Sequence, residues 1–417
     1  MKKILVKGPA LSASGYGEQC RFALRALRDN EHNFDIFLEN INWGHTGMIP
    51  LDDEDRQWID YLIGKAAAFR QQGGTFDISL QVTIPNEWDT KLAPYNVGFT
   101  AGIETSKVAP QWLNPCNAMD KILVVSNHAK YGIINTKYQG KNEQTGEEKM
   151  FGVDTPVEVC HYPVRKVEVE KLDIELTTDF NFLSVCQWGI RKDLESTVVS
   201  FMEEFHDEEV GLVLKTNVAR NNVADKQVCQ ERLSEFVSQF PNHKCKIYLL
   251  HGSLSSGEMA SLYVNPKIQA FVSTTHGEGF GLPLFEAAYS GLPILAPNWS
   301  GHVDFLYAPV KDKTKGKIRI RPHFRKIDFE LKTVQPEAVW NGVIVADSRW
   351  CFVKRFSVRN AMRDVYKNIE EKRSIAKKLQ KHVLKEFAEQ EMFDHFADSI
   401  HEFDNEWESE VGQVAEA

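Results

Sequence analysis

Two glutamates eight residues apart, Glu278 and Glu286, bracket the segment Gly-Phe-Gly-Leu-Pro-Leu-Phe. The apolar run at 268–272 before them predicts a buried strand, and Pro283 suits the first turn of a helix, which would place Glu286 in that turn. A glycine turn between a strand and a helix start favours an anion, because unpaired backbone N–H groups and the helix dipole both point at it. Carboxylates accept hydrogen bonds from sugar hydroxyls, so the pattern indicates a nucleotide-sugar site. The alternative is a solvated loop acid followed by an acid that only complements the dipole.

Two adjacent cations, Arg191 and Lys192, follow a second apolar run at 182–186. Fixed cations at the carboxyl end of a strand stabilise the charge that builds on a departing diphosphate. A solvated helix start would explain the same pair.

The composition indicates a globular protein with more than one domain. The chain has 417 residues, 42% of them hydrophobic and 26% charged, and a formal net charge of −9. This charge disfavours sequence-independent nucleic-acid binding. The cysteines are scattered and form no CxxC pair, so we expect neither a zinc site nor a disulfide framework, and a reducing cytoplasm fits. No apolar run is long enough to span a bilayer, and the basic N-terminus predicts a first strand rather than a signal peptide.

Short apolar runs alternate with helical periodicity along most of the chain, which predicts an α/β fold with parallel sheets. We expect an N-terminal Rossmann-like domain at 1–170, a second at 171–395 and a C-terminal helix or tail at 396–417. The segment 141–149 predicts a mobile loop. The segment 311–334 predicts a hairpin insertion, and 358–403 predicts helices.

The run Ser273–Glu286 closely resembles the EX7E signature of retaining glycosyltransferases of family 4, and the similarity extends to Asn298–Leu306, Phe99–Thr105 and Asp120–Asn127. The resemblance implies the GT-B fold, in which two Rossmann-like domains face each other across a cleft and C-terminal helices follow. It also implies retaining, metal-independent transfer of a sugar from a nucleoside diphosphate-sugar of the UDP or GDP type. The acceptor hydroxyl would belong to a glycan, a lipid-linked molecule or a small molecule, and no cofactor is required.

The resemblance assigns roles to individual residues. Glu278 would contact the donor sugar, Glu286 the ribose and Lys192 the diphosphate. Gln187 stands where the family has an arginine, and Asp193 where it has glycine. Our hypothesis is that Arg191 supplies the missing cation. The donor-binding residues implied are Gly15, Gly17, Gln187, Lys192, His251, Leu254, His276, Gly279, Phe280, Gly281, Leu282 and Glu286.

Four further patterns have competing interpretations. Gly15 and Gly17 would let the backbone approach the diphosphate, although an ordinary turn between a strand and a helix explains them equally well. Glu104 would bind an acceptor hydroxyl or act as a base, unless it only complements a helix N-terminus. Asp53-Glu-Asp55 matches the DxD pattern of metal-dependent transferases, but no strand precedes it and a helix start at Asp52 explains it better. His276 beside Glu278 lacks a third ligand at metal spacing.

Two other functions remain open. A DNA-modifying transferase that acts on hydroxymethyl bases uses the same fold, and the seven Lys and Arg residues between Lys311 and Arg325 would allow it. That basic run could also be a solvated face or could touch an anionic acceptor. A non-catalytic nucleotide-sugar-binding protein would explain Gln187. We expect a cytoplasmic protein, or one peripheral at a membrane, and the sequence does not indicate its oligomeric state.

Overall fold

The computed structural model describes residues 1–44, 46–49, 54–141, 148–311 and 317–400. The chain divides into two units. Unit 1 contains Met1–Gly102, Val108–Pro163 and residues 387–400, and unit 2 contains Ile103–Lys107 and Val164–Glu386. The boundary near the predicted position 170 therefore lies at Pro163.

Unit 1 is a six-stranded parallel sheet with strand order β2-β1-β3-β4-β5-β8, and β6 and β7 form a separate antiparallel pair. Every residue of β3 and β4 is buried, as expected where helices cover both faces of a parallel sheet. The elements are β1 (Lys2–Gly8), α1 (Gly15–Asp29), β2 (Phe34–Asn40), α2 (Glu54–Gln71), β3 (Ile78–Val82), β4 (Tyr95–Thr100), α3 (Leu113–Asn117), β5 (Lys121–Val124), α4 (Asn127–Asn135), β6 (Tyr138–Lys141), β7 (Glu148–Phe151) and β8 (Val157–Val159).

Unit 2 is a second six-stranded parallel sheet with strand order β11-β10-β9-β12-β13-β16. Its core is built where α5 and α9 pack on the apolar face that Phe182, Leu212 and Leu214 present. The elements are β9 (Asn181–Gln187), α5 (Leu194–Phe205), β10 (Gly211–Asn217), α6 (Val223–Val237), β11 (Lys246–Leu250), α7 (Ser256–Val264), β12 (Ile268–Val272), α8 (Leu282–Ser290), β13 (Ile294–Pro297), β14 (Tyr307–Lys311), β15 (Ile318–Pro322), β16 (Arg325–Ile327), β17 (Phe329–Thr333), β18 (Arg349–Val353), α9 (Arg355–Lys367) and α10 (Ile369–Glu386).

The predicted insertion at 311–334 is not one hairpin. Strand β14 pairs with β15 in an antiparallel ribbon, but β16 belongs to the main sheet and β17 pairs with β18. Alternating charged and apolar residues fit all three strands equally, so the alternation could not show their different partners.

The last described helical segment, 389–400, belongs to unit 1. Phe393 and Phe396 pack on Phe22 of α1, with ring centroids 6.1 and 5.1 Å apart. The C-terminal boundary therefore lies after Glu386 rather than before 396. Residues 142–147 of the predicted loop, 401–417 of the predicted tail, and Asp52 and Asp53 lie outside the described residues. Among the helices that are described, none has the length and apolar character needed to cross a membrane.

Candidate functional site

The strand order of unit 2 reverses between β9 and β12, which are neighbours in the sheet. In open parallel sheets the connections from two such strands run in opposite directions, and this leaves a crevice at their carboxyl ends where ligands bind. The segment after β9 contains Arg191 and Lys192, and the segment after β12 contains Glu278. The topology therefore brings the two charged motifs of the sequence to one edge of the sheet.

The side chains of these motifs form one ion cluster. Lys192 Nζ donates to both carboxylate oxygens of Glu278, at 2.6 and 2.7 Å. Arg191 Nη1 lies 3.2 Å from Glu278 Oε2, and its Nε lies 3.3 Å from Glu104 Oε1. The Glu278 side chain is 9% exposed, so these ion pairs are largely shielded from water.

The two cations determine the protonation of Glu278. Burial alone would raise its pKa, but the charges of Lys192 and Arg191 outweigh burial and lower the pKa from 4.5 to about 2. Burial lowers the pKa of Arg191, but the carboxylates of Glu104 and Glu278 outweigh it and raise that pKa above its usual value. The cluster therefore pairs two cations with two acids, and Glu278 is its most buried member.

Glu104 comes from segment 103–107, which packs into unit 2. Arg191 Nη1 also donates to Gly277 O at 2.7 Å, so its guanidinium is held by both neighbouring segments. A Cβ at Gly277 would lie 2.4 Å from the backbone oxygen of Glu104, and glycine is therefore required for this close approach. The predicted base, Glu104, is engaged with Arg191.

The helix after Glu278 follows a left-handed glycine and begins at Leu282, one residue before the predicted start at Pro283. Gly281 has φ +95° at the N-cap of α8, and no described side chain caps the helix. Uncapped N–H groups in the first turn favour an anion. Pro283 is the second residue of α8, so Glu286 falls just beyond the first turn, which corrects its predicted position. Its carboxylate interacts with the phenol of Tyr263, whose pKa burial and Glu286 together raise.

Phe280 is 3% exposed and packs on Phe285 and Phe305. Its ring thus anchors the turn, and a ligand contact from this residue would have to come from its backbone. The backbone N–H of Glu278 donates to Ser300 Oγ at 2.8 Å, and Gly301 N donates to Glu278 O at 2.9 Å. These bonds fix the Glu278 turn against the segment after β13. Ser300 was missed from the sequence, where only its position near the signature could have indicated it.

Asp193 follows Lys192 in the left-handed conformation, with φ +46°, and it caps α5 through a bond from Ser196 N. Glycine is the usual residue for this backbone geometry, and aspartate is one of the few others that tolerate it. Asp193 therefore preserves the turn that glycine would form at this position. Burial raises the pKa of Asp193 from 3.8 to about 6.

His276 is buried, and both of its ring nitrogens have protein partners. Nδ1 lies 2.5 Å from Cys351 O, and Nε2 lies 3.1 Å from Gln335 Nε2, while the ring stacks on Trp350 at 4.9 Å. Burial lowers its pKa to about 4, so the ring is neutral, donates to Cys351 and accepts from Gln335. A donor contact through a ring nitrogen would require one of these bonds to break.

His251 lies in a buried hydrogen-bonded group rather than facing solvent. Its Nε2 lies 2.9 Å from Asp225 Oδ1, and its side chain is 3% exposed. The Asp225 carboxylate also accepts from the N–H groups of Val218, Ala219 and Arg220 at 2.7–2.8 Å. Burial alone would raise the pKa of Asp225, but these bonds hold it well below its usual range.

Cys229 completes a group of ligand atoms within 4.8 Å of one another, together with Asp225 and His251. Four protein donors already saturate the Asp225 carboxylate. Hydrogen bonding therefore accounts for the close approach of these three side chains. Asp225 was missed from the sequence, although Asn222 three residues before it marks a helix cap. Leu254 is half-buried in the turn after His251.

Gln187 ends β9 and is exposed, and its Nε2 donates to Val218 O at 2.7 Å. On the neighbouring strand, Lys215 Nζ lies 2.5 Å from Gly252 O. Burial lowers the pKa of Lys215. Lys215 was not identified from the sequence.

In unit 1, Gly15 and Gly17 form the first turn of α1 rather than part of a loop. Gly17 N donates to Ser14 Oγ at 3.1 Å, and a Cβ at position 17 would lie 2.0 Å from Ser12 O. Gly17 is therefore required by packing, whereas a Cβ at Gly15 would meet nothing within 4 Å.

No protein-family model matches this sequence, and no curated protein matches it significantly. Solved structures do match its fold. Sucrose-phosphate synthase from Thermosynechococcus elongatus has a TM-score of 0.61 at 12% identity, over 97% of this chain and 99% of its own. The apo form of the lipopolysaccharide outer core galactosyltransferase WaaB has a TM-score of 0.55 at 13% identity, over 96% and 99%. Anabaena HepE in complex with UDP and glucose has a TM-score of 0.56 at 11% identity, over 96% and 100%.

The fold is GT-B. At these identities the likeness concerns the fold alone, and it confirms the predicted α/β class with two Rossmann-like units.

Proposed function

We propose that this protein is a glycosyltransferase that moves a sugar from a nucleoside diphosphate-sugar to an acceptor hydroxyl, with retention of configuration and without a metal. The observation that carries the proposal is the contact of Lys192 and Arg191 with Glu278 beside the uncapped start of α8. The fold shared with WaaB, and with HepE in complex with UDP and glucose, supports the same class of reaction.

The chemistry follows from the charges. Departure of the sugar leaves negative charge on the diphosphate, and the two cations with the N–H groups of α8 stabilise that charge as it develops. Lys192 and Arg191 can neutralise the charge of the diphosphate, as a divalent metal ion does in metal-dependent transferases. The buried carboxylate of Glu278 orients Lys192 before the donor arrives, so little reorganisation is needed when the bond breaks.

Retention requires the acceptor to approach the face from which the diphosphate leaves. In the proposed mechanism a phosphate oxygen takes the acceptor proton, so no side-chain nucleophile is needed. Glu104 would then position Arg191 rather than act as the base, because its carboxylate is paired with that guanidinium.

The test is a panel of UDP- and GDP-sugars, first in thermal unfolding and then in an assay for release of the nucleoside diphosphate. A ligand present at a hundred times its Kd stabilises the folded protein by about 2.7 kcal/mol. We expect one donor to stabilise the protein and to be turned over slowly, in the presence of a chelator and with retained configuration in the product.

Glu278→Gln should abolish turnover, whereas Glu209→Gln, a change at an exposed glutamate of unit 2, should leave it unchanged. Donor binding without release of diphosphate, under all acceptor conditions, would identify a non-catalytic binding protein. Modification of DNA with a steep salt dependence would identify the DNA-modifying alternative.

A further inference from the structure

The ribbon of β14 and β15 has a composition unlike the rest of the chain. Its described residues, 307–311 and 317–322, contain four cations, Lys311, Lys317, Arg319 and Arg321, and no acid, whereas the whole chain has a net charge of −9. Among the described residues, no carboxylate lies within ion-pair distance of these cations. The ribbon is therefore a local region of positive charge on an acidic protein.

Large aliphatic side chains accompany these cations in solvent. Ile318 is 68% exposed, Ile320 62% and Val310 41%. In the antiparallel register Ile318 lies opposite Lys311, and Val310 lies opposite Arg319. Because side chains alternate along a strand, these two pairs lie on opposite faces of the ribbon, and each face combines a cation with an aliphatic side chain. Exposed apolar groups interleaved with cations are typical of protein surfaces that bind at a lipid interface.

The base of the ribbon is fixed to unit 2. Tyr307 Oη donates to Asn298 Oδ1 at 2.8 Å, Lys326 Nζ lies 5.1 Å from the centre of the Tyr307 ring, and Ala308 is buried. Helix α10 packs against β14. The exposed part of the ribbon thus begins at Pro309 on a well-anchored base, which allows it to present its side chains outward as a unit.

We propose that the ribbon of β14 and β15 docks this protein on a membrane surface that contains anionic lipid. The cations of both faces would bind the negatively charged headgroups, and Ile318 and Ile320, which share one face, would enter the region between headgroups and acyl chains. A soluble polyanion would satisfy the cations only, and the isoleucines therefore favour a bilayer. The inference concerns attachment and does not depend on the proposed sugar transfer.

The experiment is cosedimentation of the full chain with vesicles of phosphatidylcholine, with and without phosphatidylglycerol. We expect binding to the anionic vesicles only, weakening as ionic strength rises. Arg319→Glu with Arg321→Glu should reduce the partition coefficient at least about tenfold. Ile318→Ser with Ile320→Ser should reduce it as well, because the apolar insertion is lost while the charge is kept.

Matched controls lie elsewhere on unit 2. Lys226→Glu with Lys246→Glu changes two exposed lysines, and Val223→Ser changes an aliphatic side chain that is 84% exposed. Both controls should bind vesicles as the unaltered protein does, and circular dichroism melting should show all variants folded. Equal binding to both vesicle types, no binding to either, or binding by the ribbon variants at the unaltered level would overturn the proposal. Binding to heparin that survives Ile318→Ser with Ile320→Ser, without vesicle binding, would instead assign the ribbon to a soluble polyanion.

Discussion

The carboxyl edges of the two parallel sheets differ in strand order and in chemistry. In unit 1, the edge of β1 and β4 has neutral groups: Tyr16 Oη lies 2.8 Å from Thr100 Oγ1, and the Tyr16 ring lies 4.4 Å from that of Trp43. In unit 2, the edge where β9 and β12 end has the ion cluster of Lys192 and Glu278, and we call it the charged edge. Among the described residues, the edge of unit 2 concentrates charge suited to a diphosphate, whereas the edge of unit 1 presents hydroxyl and aromatic groups.

Cations near the edge of unit 1 are used internally. Arg21 Nη1 donates to the carbonyl oxygens of Ala10 and Ser12 at 2.7 and 2.9 Å, and Arg21 and Arg25 both pair with Glu18. These bonds hold the loop before α1 in place. Under the proposed function, unit 2 would hold the donor diphosphate and unit 1 would offer hydroxyl and aromatic groups. Each prediction below tests one side of this contrast.

The largest effect is expected at Lys192. Lys192→Met keeps the aliphatic volume and removes the charge that contacts Glu278, so diphosphate release at saturating donor should fall about 10²–10³-fold. Lys192→Arg should retain part of the activity. The free energy of unfolding should fall by about 1–3 kcal/mol for Lys192→Met, since Glu278 then stays buried with one cation fewer. Lys246→Met, at an exposed lysine, is the control. Full turnover by Lys192→Met would mean that the charge of Lys192 does not stabilise the departing diphosphate, and the contrast between the two edges would fail.

The second prediction concerns the two glycines of unit 1. Gly17→Ala should destabilise the protein by about 1–3 kcal/mol or more, because backbone atoms of Ser12 occupy the space for the new methyl group. Gly15→Ala should be neutral, or stabilising by up to about 1 kcal/mol, since the position is open and helical. Urea unfolding measures both.

Donor affinity then separates packing from binding at these positions. If Gly15 lets the backbone approach a diphosphate, Gly15→Ala should weaken donor binding while the protein stays stable. Unchanged affinity would leave the charged edge of unit 2 as the only diphosphate contact supported by experiment.

The third prediction concerns the pair of Glu104 and Arg191, whose side chains are 20% and 30% exposed. A double-mutant cycle with Glu104→Gln and Arg191→Met should give a coupling energy of about 0.5–1.5 kcal/mol, reduced by partial solvent screening. The exposed pair of Lys332 and Glu330, 3.0 Å apart, should give a value close to zero. Equal coupling energies in both cycles would mean that partial burial at the charged edge does not strengthen the ion pair of Glu104 and Arg191.

Arg191→Met alone addresses the missing arginine at position 187. If Arg191 substitutes for it, turnover should fall by a factor comparable to that of Lys192→Met. Intact turnover by Arg191→Met would show that Arg191 does not replace the missing arginine, and Lys192 would then be the main cation.

The two strands that end at the charged edge could be predicted closely from the sequence. The apolar run at 182–186 lies within β9, and the run at 268–272 coincides with β12. Both runs are mostly apolar, so local pattern and tertiary burial agree. The meeting of Lys192 with Glu278 could be anticipated because both follow buried strands, although nothing in the sequence showed that those strands are adjacent.

Other features depend on contacts distant in sequence. His276 resembles a ligand-binding residue in its motif, yet Gln335 and Cys351 occupy its nitrogens. The resemblance assigns His251 to donor binding, but its Nε2 lies 2.9 Å from Asp225 Oδ1 and its side chain is 3% exposed. Side chains of this kind have two plausible partners, water or a distant polar group, and local sequence does not distinguish them.

The smallest effect is expected at Asp193, which closes the charged edge beside Lys192. Burial raises its folded-state pKa to about 6 from 3.8, with Glu195 adding to the shift and Arg355 opposing it. The folded state therefore holds the proton more tightly than the unfolded state, so this stabilisation is complete below about pH 3.8 and is lost as the pH rises through about 6. Asp193→Asn keeps the left-handed backbone and has no proton to lose, and it should be more stable than the unaltered protein at pH 7 by about 1 kcal/mol.

The measurement is urea unfolding at several pH values between 3.5 and 7.5, a range chosen to span both pKa values of Asp193, about 3.8 and about 6. The difference between Asp193→Asn and the unaltered protein should grow through this interval and level off above it. Asp154→Asn, at an exposed carboxylate of unit 1, should show no such growth. If the two proteins differ in their free energy of unfolding by the same amount at every pH, burial does not raise the pKa of Asp193.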